Sequence, residues 1–325
     1  GNFRLCTLQA RQFFLPFLLA FVVSYSLLIQ AQQKDTLTLD DLLNDGQAWL
    51  EENLDENWLR AFQNVDQEKV QDFLRALQQR FQGEYVIDIA SLKQAADAVL
   101  PILESREETR SYASWLRTRM DYFEVADDLR LIVPPPKVEP GQPPKPAPNP
   151  TPEQERRVWQ KHLEKLPAPK GAANLVSRLK PIFVQEQVPA ELVWLAEVES
   201  SFDPLARSPV GAAGLFQFMP ATAKQTGLAL RPQDERLHPD KSARAAARYL
   251  KYLHGRFNDW PLALAAYNVG EGRLQGLLKK TQARSFDRVA PRLPAETQMY
   301  VPRIEATLKK REGVTLAQLN ARPRR

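Results

Sequence analysis

Apolar residues recur every three to four positions through two long stretches of the chain, a spacing that predicts amphipathic helices. The first runs from Asp35 to Ile132 and includes VQDFLRALQQRF and SLKQAADAVLPILESREETRSYASWLRTRMDYF. The second runs from Glu153 to the end, with proline in the first turn of several predicted helices, at Pro189, Pro220, Pro239, Pro261 and Pro294. Gly227 and Gly270 fall where helix ends are expected. Neither stretch alternates apolar and polar residues over a useful length, so the expected fold class is all-α. Trp49, Trp58 and Trp115 are expected in the core of the first stretch. Between Phe202 and Met219 lies a longer connection carrying Gly211 and Gly214, the kind of segment that holds functional groups on a rigid scaffold.

Two segments break the pattern. Phe13 to Ile29 (FFLPFLLAFVVSYSLLI) is uncharged and mostly apolar, with Arg4 and Arg11 before it and QAQQKD after it. It reads as export, either a signal peptide cut near Ala31 or a retained inner-membrane anchor. A lipid-accepting cysteine would have to follow the run, whereas Cys6 precedes it. The other is PPPKVEPGQPPKPAPNPTP, where about every second residue is proline. Such a segment favours polyproline II and makes a semi-rigid spacer reaching roughly 60 Å at about 3.1 Å per residue. The predicted layout is therefore a signal peptide or anchor over 1–34, a helical domain over 35–132, a Pro-rich linker over 133–152, and a helical working domain over 153–325.

The formal charge of +5 arises from Lys and Arg interleaved with Asp and Glu, which argues against a nucleic-acid partner. One cysteine excludes an internal disulfide and a multi-thiolate metal site. His162, His238 and His254 lack metal-ligand spacing, so no metal or cofactor is expected. No phosphate-cradling loop or Ser-His-Asp arrangement can be assembled.

The chemistry-bearing stretch is EVESSFDPLARSPVGAAGLFQF, residues 197–218. Wound as a helix at about 100° per residue, Glu199 shares a face with Leu192, Leu195, Ala196 and Phe202, and Glu197 points about 160° away. Glu197 is therefore expected at the surface, solvated or salt-bridged. A carboxyl on the apolar face is pushed towards holding a proton near neutral pH, which suits Glu199 to general acid work. Ser200, Ser208 and Gln217 follow with neutral polar groups of the kind that polyhydroxylated, acetamido-bearing sugars require, and Phe216, Phe218 and Tyr267 offer apolar faces. Most glycosidases pair two carboxylates, yet no other acid in the domain stands at a spacing that marks it as the mate.

VESSFDPLARSPVGAAGLFQFMPATA, ALAAYNVGEGR and LPAETQMYVPRI, in that order, resemble the three motif segments of the SLT-type lytic transglycosylases, and their spacing looks closest to the membrane-bound lytic murein transglycosylase D group. The resemblance spans roughly Leu166 to Lys310 and implies a C-terminal lysozyme-like SLT domain. It implies cleavage of the β-1,4 bond between N-acetylmuramic acid and N-acetylglucosamine in peptidoglycan, with a single glutamate, here Glu199, as acid and then base. The substrate's N-acetyl group takes the place of the second carboxylate, and the muramic C6 hydroxyl closes a 1,6-anhydro ring. By position, Ser208 and Gln217 would bind acetamido and hydroxyl groups, Met219 would line the cleft, Tyr267 would approach the reacting centre, Asn268 would hold the turn after its helix, and Glu296 would form a wall or touch substrate. Phe216 and Phe218 differ from the residues often found beside this glutamine in the family.

Peptidoglycan strands are the expected partner, with membrane anchoring by residues 13–29, a cell-wall protein partner for residues 35–132, and a periplasmic location in a Gram-negative bacterium. The alternatives are a hydrolase of the goose-type lysozyme kind, with an added acid to activate water, and an inactive wall-binding scaffold.

Overall fold

A computed structural model describes residues 67–133 and 148–321. The apolar run 13–29, Trp49, Trp58 and most of the proline-rich segment lie outside these residues. Among the described residues every regular element is helical, apart from two isolated bridges, Arg207 to Ala213 and Ala213 to Phe218. The all-α expectation therefore holds over this part of the chain.

Three helices precede the proline-rich segment: α1 (Gln67–Phe81), α2 (Lys93–Ser105) and α3 (Arg110–Ile132). After it come α4 (Pro152–Glu164), α5 (Ala172–Gln185), the six-residue α6 (Leu195–Ser200) and α7 (Pro220–Gln225). The chain continues with α8 (Pro239–Phe257), α9 (Trp260–Val269), α10 (Glu271–Thr281), α11 (Phe286–Val289), α12 (Ala295–Glu312) and α13 (Leu316–Asn320).

The predicted start signals operate. Pro220 and Pro239 open α7 and α8, Pro261 lies in the first turn of α9, and Pro294 immediately precedes α12. Asp259 caps α9 by accepting from the Leu262 amide at 3.1 Å, and Thr151 with Gln154 forms a reciprocal capping box on α4. Helix α8 is amphipathic, burying Ala243, Ala246, Ala247, Leu250 and Leu253 at three- and four-residue intervals. Helices α9 and α12, by contrast, are buried on nearly every side, which places them inside the molecule.

Helix α12 lies between two apolar cores. Ala295, Met299 and Ala306 join the core of α1–α4, which holds Phe81, Trp115, Phe123 and Trp159. Tyr300, Val301, Ile304 and Leu308 join the core of α5–α11 and α13. Polar contacts fasten the first side: the Ala295 amide donates to the Gly83 carbonyl at 2.7 Å, and Gln298 Nε2 donates to the Glu84 carbonyl at 2.9 Å. Arg303, fully buried, donates to Asp121 Oδ2 and the Thr118 carbonyl, both at 2.6 Å, and lies over the rings of Tyr122 and Trp159. The described helices on either side of the proline-rich segment thus belong to one compact unit, Leu50–Arg325.

Candidate active site

The tight turn Ala190–Trp194 leads into α6, whose six side chains are all buried. The helix ends two residues earlier than the periodicity predicts, because Ser201 and Phe202 take left-handed conformations with φ of 51° and 60°. Phe202 therefore leaves the helical register, though it stays buried edge-on against Trp194 with ring centroids 5.5 Å apart. Ser200 Oγ donates to the Leu215 carbonyl at 2.9 Å and ties the end of α6 to the following loop.

Both glutamates of α6 are 6% exposed, so the expectation of a surface position for Glu197 is corrected. A helix of six residues packed on all sides has no solvent face to give it. Glu197 instead accepts from Arg311 Nη2 at 2.8 Å and Nε at 3.0 Å, an ion pair sheltered by Trp194 and by the backbone at Leu166 and Pro167. Glu199 receives the Tyr300 hydroxyl. Burial is the largest influence on Glu199 and raises its pKa to about 7; the Tyr300 hydrogen bond and the Arg119 charge oppose the rise, and the Glu296 charge adds to it. A carboxyl in that range both gives and takes a proton at neutral pH.

The loop after α6 is held from inside by Arg236, which is 6% exposed. Its Nη1 donates to the Gly211 carbonyl at 2.7 Å and the Phe218 carbonyl at 2.9 Å, while Asp234 pairs with the rest of the guanidinium. Gly214 passes so close, with φ of +82°, that a Cβ there would meet the Arg236 carbonyl oxygen at 1.9 Å. The loop carries Ser208, whose Oγ accepts from the Ala212 amide at 2.9 Å, and Gln217, whose Nε2 donates to the Gly214 carbonyl at 2.8 Å and the Ala206 carbonyl at 3.2 Å. Gln217 Oε1 is buried and receives no hydrogen bond, which leaves an acceptor for a ligand N–H or O–H.

A cleft of about 200 Å³ brings together all the predicted site residues. Glu199, Ser208, Gln217 and Met219 line it from α6 and the loop, Tyr267 and Asn268 from the end of α9, and Glu296 from the first turn of α12. Tyr267 donates to the Phe216 carbonyl at 2.8 Å, and burial raises its pKa well above the ordinary phenol range. Asn268 accepts from Thr297 Oγ1 at 2.6 Å, joining α9 to α12. Phe216 is core, packed near Phe183, whereas Phe218 lines the cleft.

The cleft also has walls that sequence reasoning missed. Gln78, Gln82, Trp115 and Arg119 reach it from α1, the turn after α1, and α3. Arg119 Nη2 contacts Glu296 Oε1 at 2.8 Å, and Gln78 and Gln82 donate to Glu296 Oε2 at 3.0 and 3.1 Å. Trp115, expected in the core, is fully buried beneath the Arg119 guanidinium, 5.1 Å from its ring centre. No local pattern marks Gln78, Gln82 and Arg119, since their partner Glu296 stands 177 to 218 residues away. Tyr300 belongs to LPAETQMYVPRI, where its helical spacing is equally that of a packing residue.

Residues 184–289 match the family model described as the transglycosylase SLT domain. The SLT match covers about a third of this chain. It is 43% identical over 141 residues to membrane-bound lytic murein transglycosylase D of Escherichia coli (strain K12), covering 41% of this chain and 31% of that protein. It is 41% identical over 119 residues to a putative tributyltin chloride resistance protein of Alteromonas sp. (strain M-1), covering 36% of this chain and 58% of the other. Among solved structures, an inactive mutant of lytic transglycosylase Slt from Pseudomonas aeruginosa aligns at a TM-score of 0.38 and 20% identity, over 76% of this chain and 43% of that one. The chain thus spans about a third of the length of the first of these relatives and over half of the second. The matched SLT segment contains Glu199, Ser208, Gln217, Met219, Tyr267 and Asn268, whereas Glu296, Tyr300, Arg119 and the two glutamines come from outside it.

Proposed function

We propose that this protein is a peptidoglycan lytic transglycosylase that cleaves the β-1,4 bond between N-acetylmuramic acid and N-acetylglucosamine without consuming water. The observation that carries the reading is Glu199: one buried carboxyl at the cleft, with a pKa raised to about 7. Protonated, it gives its proton to the leaving glycosidic oxygen as the C1–O bond breaks. The positive centre at C1 is stabilised by the oxygen of the substrate's own acetamido group. Glu199, now a carboxylate, takes the proton of the muramic C6 hydroxyl as that oxygen bonds to C1, and the acid is regenerated with a 1,6-anhydro product.

The second carboxylate lining the cleft, Glu296, is poorly placed to activate water. Its two oxygens already accept from Arg119, Gln78 and Gln82. Freeing it would break a buried ion pair, at a cost of ~3–5 kcal/mol. This favours the single-acid route over hydrolysis. Gln217 Oε1 and Ser208 serve the acetamido and hydroxyl groups, Tyr267 flanks the reacting centre, Met219 walls the cleft, and Asn268 fixes the end of α9.

The proposed setting is the cell envelope, in keeping with the similarity to membrane-bound lytic murein transglycosylase D. Residues 13–29 export the chain or anchor it in the inner membrane, and residues 35–132 meet a cell-wall partner, with Gln78, Gln82, Trp115 and Arg119 also walling the cleft. No helix of the described residues is long and apolar enough to cross a membrane.

The test is mass spectrometry of purified murein sacculi digested by the protein and by Glu199→Gln. The expected products end in anhydro-muramyl residues, one water lighter than hydrolysed ends, and disappear with the variant. Hydrated ends would assign hydrolysis instead, and anhydro products persisting with Glu199→Gln would remove Glu199 from the chemistry.

A further inference from the structure

Helix α8 carries two tyrosines three residues apart, Tyr249 and Tyr252, so both rings lie on one face. The rings are nearly parallel, at 13°, with centroids 6.3 Å apart. Tyr249 in turn stands 5.5 Å from Tyr267, and Tyr267 stands 6.2 Å from Phe218. Four aromatic rings therefore run in file from the cleft wall to the surface, where Tyr252 is half exposed. Packing accounts for the inner rings. The outermost ring is held by its stack on Tyr249 and by its hydroxyl, which donates to Glu271 and accepts from Arg256 at 3.2 Å, while half of it stays open to solvent.

Tyr249 lines the cleft and also a second cavity of about 430 Å³, so the two spaces are neighbours across one ring. The second cavity is completed by Gln225, Thr226, Arg248, Tyr252 and Glu271. Its volume falls in the range of about 300–1,000 Å³ typical of small-ligand sites. Glu271 Oε1 accepts from the Tyr252 hydroxyl at 3.3 Å, and its Oε2 is buried without a hydrogen-bond donor, the Arg256 guanidinium standing 4.0 Å away. Arg248 is engaged by Glu186 at 3.1 Å. The cavity thus offers an aromatic face, an acceptor carboxylate and a neutral amide, with its arginine already paired.

We infer that this cavity is an outer saccharide subsite, in which a neutral N-acetylhexosamine ring of the same glycan strand lies against Tyr252 and hydrogen-bonds to Glu271. The inference rests on the proposed action on peptidoglycan glycan and adds where the strand travels beyond the reacting bond. An aromatic ring matches the apolar C–H face of a pyranose, and an acceptor at its rim takes the equatorial hydroxyls. An anionic ligand fits less well, since the acceptor in the cavity is itself a carboxylate and the lining Arg248 is paired with Glu186.

The test measures binding of N-acetylglucosamine oligomers of two to six units by calorimetry, using Glu199→Gln protein with and without Tyr252→Ala. Affinity is expected to rise with oligomer length, and Tyr252→Ala is expected to abolish about a tenfold part of that rise for the longer oligomers while leaving the shortest unchanged. Tyr252→Phe, which keeps the aromatic face, is expected to retain most of the gain. Equal losses at every length, no loss at any length, or a Phe variant as weak as Ala would each overturn the subsite. Failure of the catalytic reading is seen separately: the otherwise wild-type protein would then release no anhydro-muramyl ends from sacculi, whatever stands at position 252.

Discussion

Two glutamates one residue apart on α6 are both buried, and what separates them is the partner each receives from α12: a guanidinium from Arg311 for Glu197, a phenol from Tyr300 for Glu199. A guanidinium supplies a full compensating charge and two hydrogen bonds, so it fixes a carboxylate in place. A phenol supplies one neutral hydrogen bond, which favours the charged form only partly and leaves burial dominant. Replacing Tyr300 by Phe keeps the ring in its buried site and removes that donor. The pKa of Glu199 should then rise above about 7, since the lost interaction had lowered it. A hydrogen bond to a charged group contributes about 1.5–3 kcal/mol, which corresponds to roughly one to two pH units. The alkaline limb of the kcat/KM profile, where the acid loses its proton, is expected to move up by about that amount. A profile that falls uniformly with an unmoved limb would mean that Tyr300 acts only in packing.

At the scale of elements, the contrast between α6 and the loop that follows it tells what a periodic pattern carries. The apolar stripe through Leu192, Leu195 and Ala196 correctly predicts Glu199 in a buried face, and the glycines correctly predict a connection bearing site residues. The pattern cannot tell that the opposite face is also covered, because α12 and its Arg311 arrive from over a hundred residues away. Nor can it tell that Arg236 threads the loop, since an arginine in a polar stretch reads as solvated. Gly214 is where loop and arginine meet. Gly214→Ala would place a methyl at 1.9 Å from the Arg236 carbonyl oxygen in a backbone with positive φ, and is expected to cost more than ~2 kcal/mol in urea denaturation and to abolish activity with it. Gly276→Ala provides the contrast: it lies inside α10, a Cβ there meets nothing within 4 Å, and the change is expected to stabilise by ~0.5–1 kcal/mol. Equal effects at the two positions would refute the close approach.

At the scale of the whole molecule, α12 sits between two cores and carries to the cleft what neither core holds alone: Glu296 bonded to α1–α3, and Tyr300 bonded to α6. None of this was legible from spacing, because periodicity reports which face of a helix is apolar and not which helix covers it. Enclosure by α3 and α12 is also what makes Glu199 an acid near neutrality, and the enclosure has a thermodynamic counterpart. The carboxyl titrates near 4.5 when the chain is unfolded and near 7 when folded. Below about pH 4.5 both states hold the proton and Glu199 leaves stability unchanged. Between those values the folded state binds more proton than the unfolded, so stability falls as pH rises, by up to about 3 kcal/mol, and the loss is complete above about pH 7. Glu199→Gln cannot ionise and escapes this penalty. Its unfolding free energy, measured by urea titration, is expected to gain on the wild type steadily from pH 4.5 to 7.5, whatever constant offset the amide introduces. A difference between the two proteins that stays flat across that range would show that Glu199 ionises as an ordinary carboxylate, and would remove the physical basis for its role as the acid.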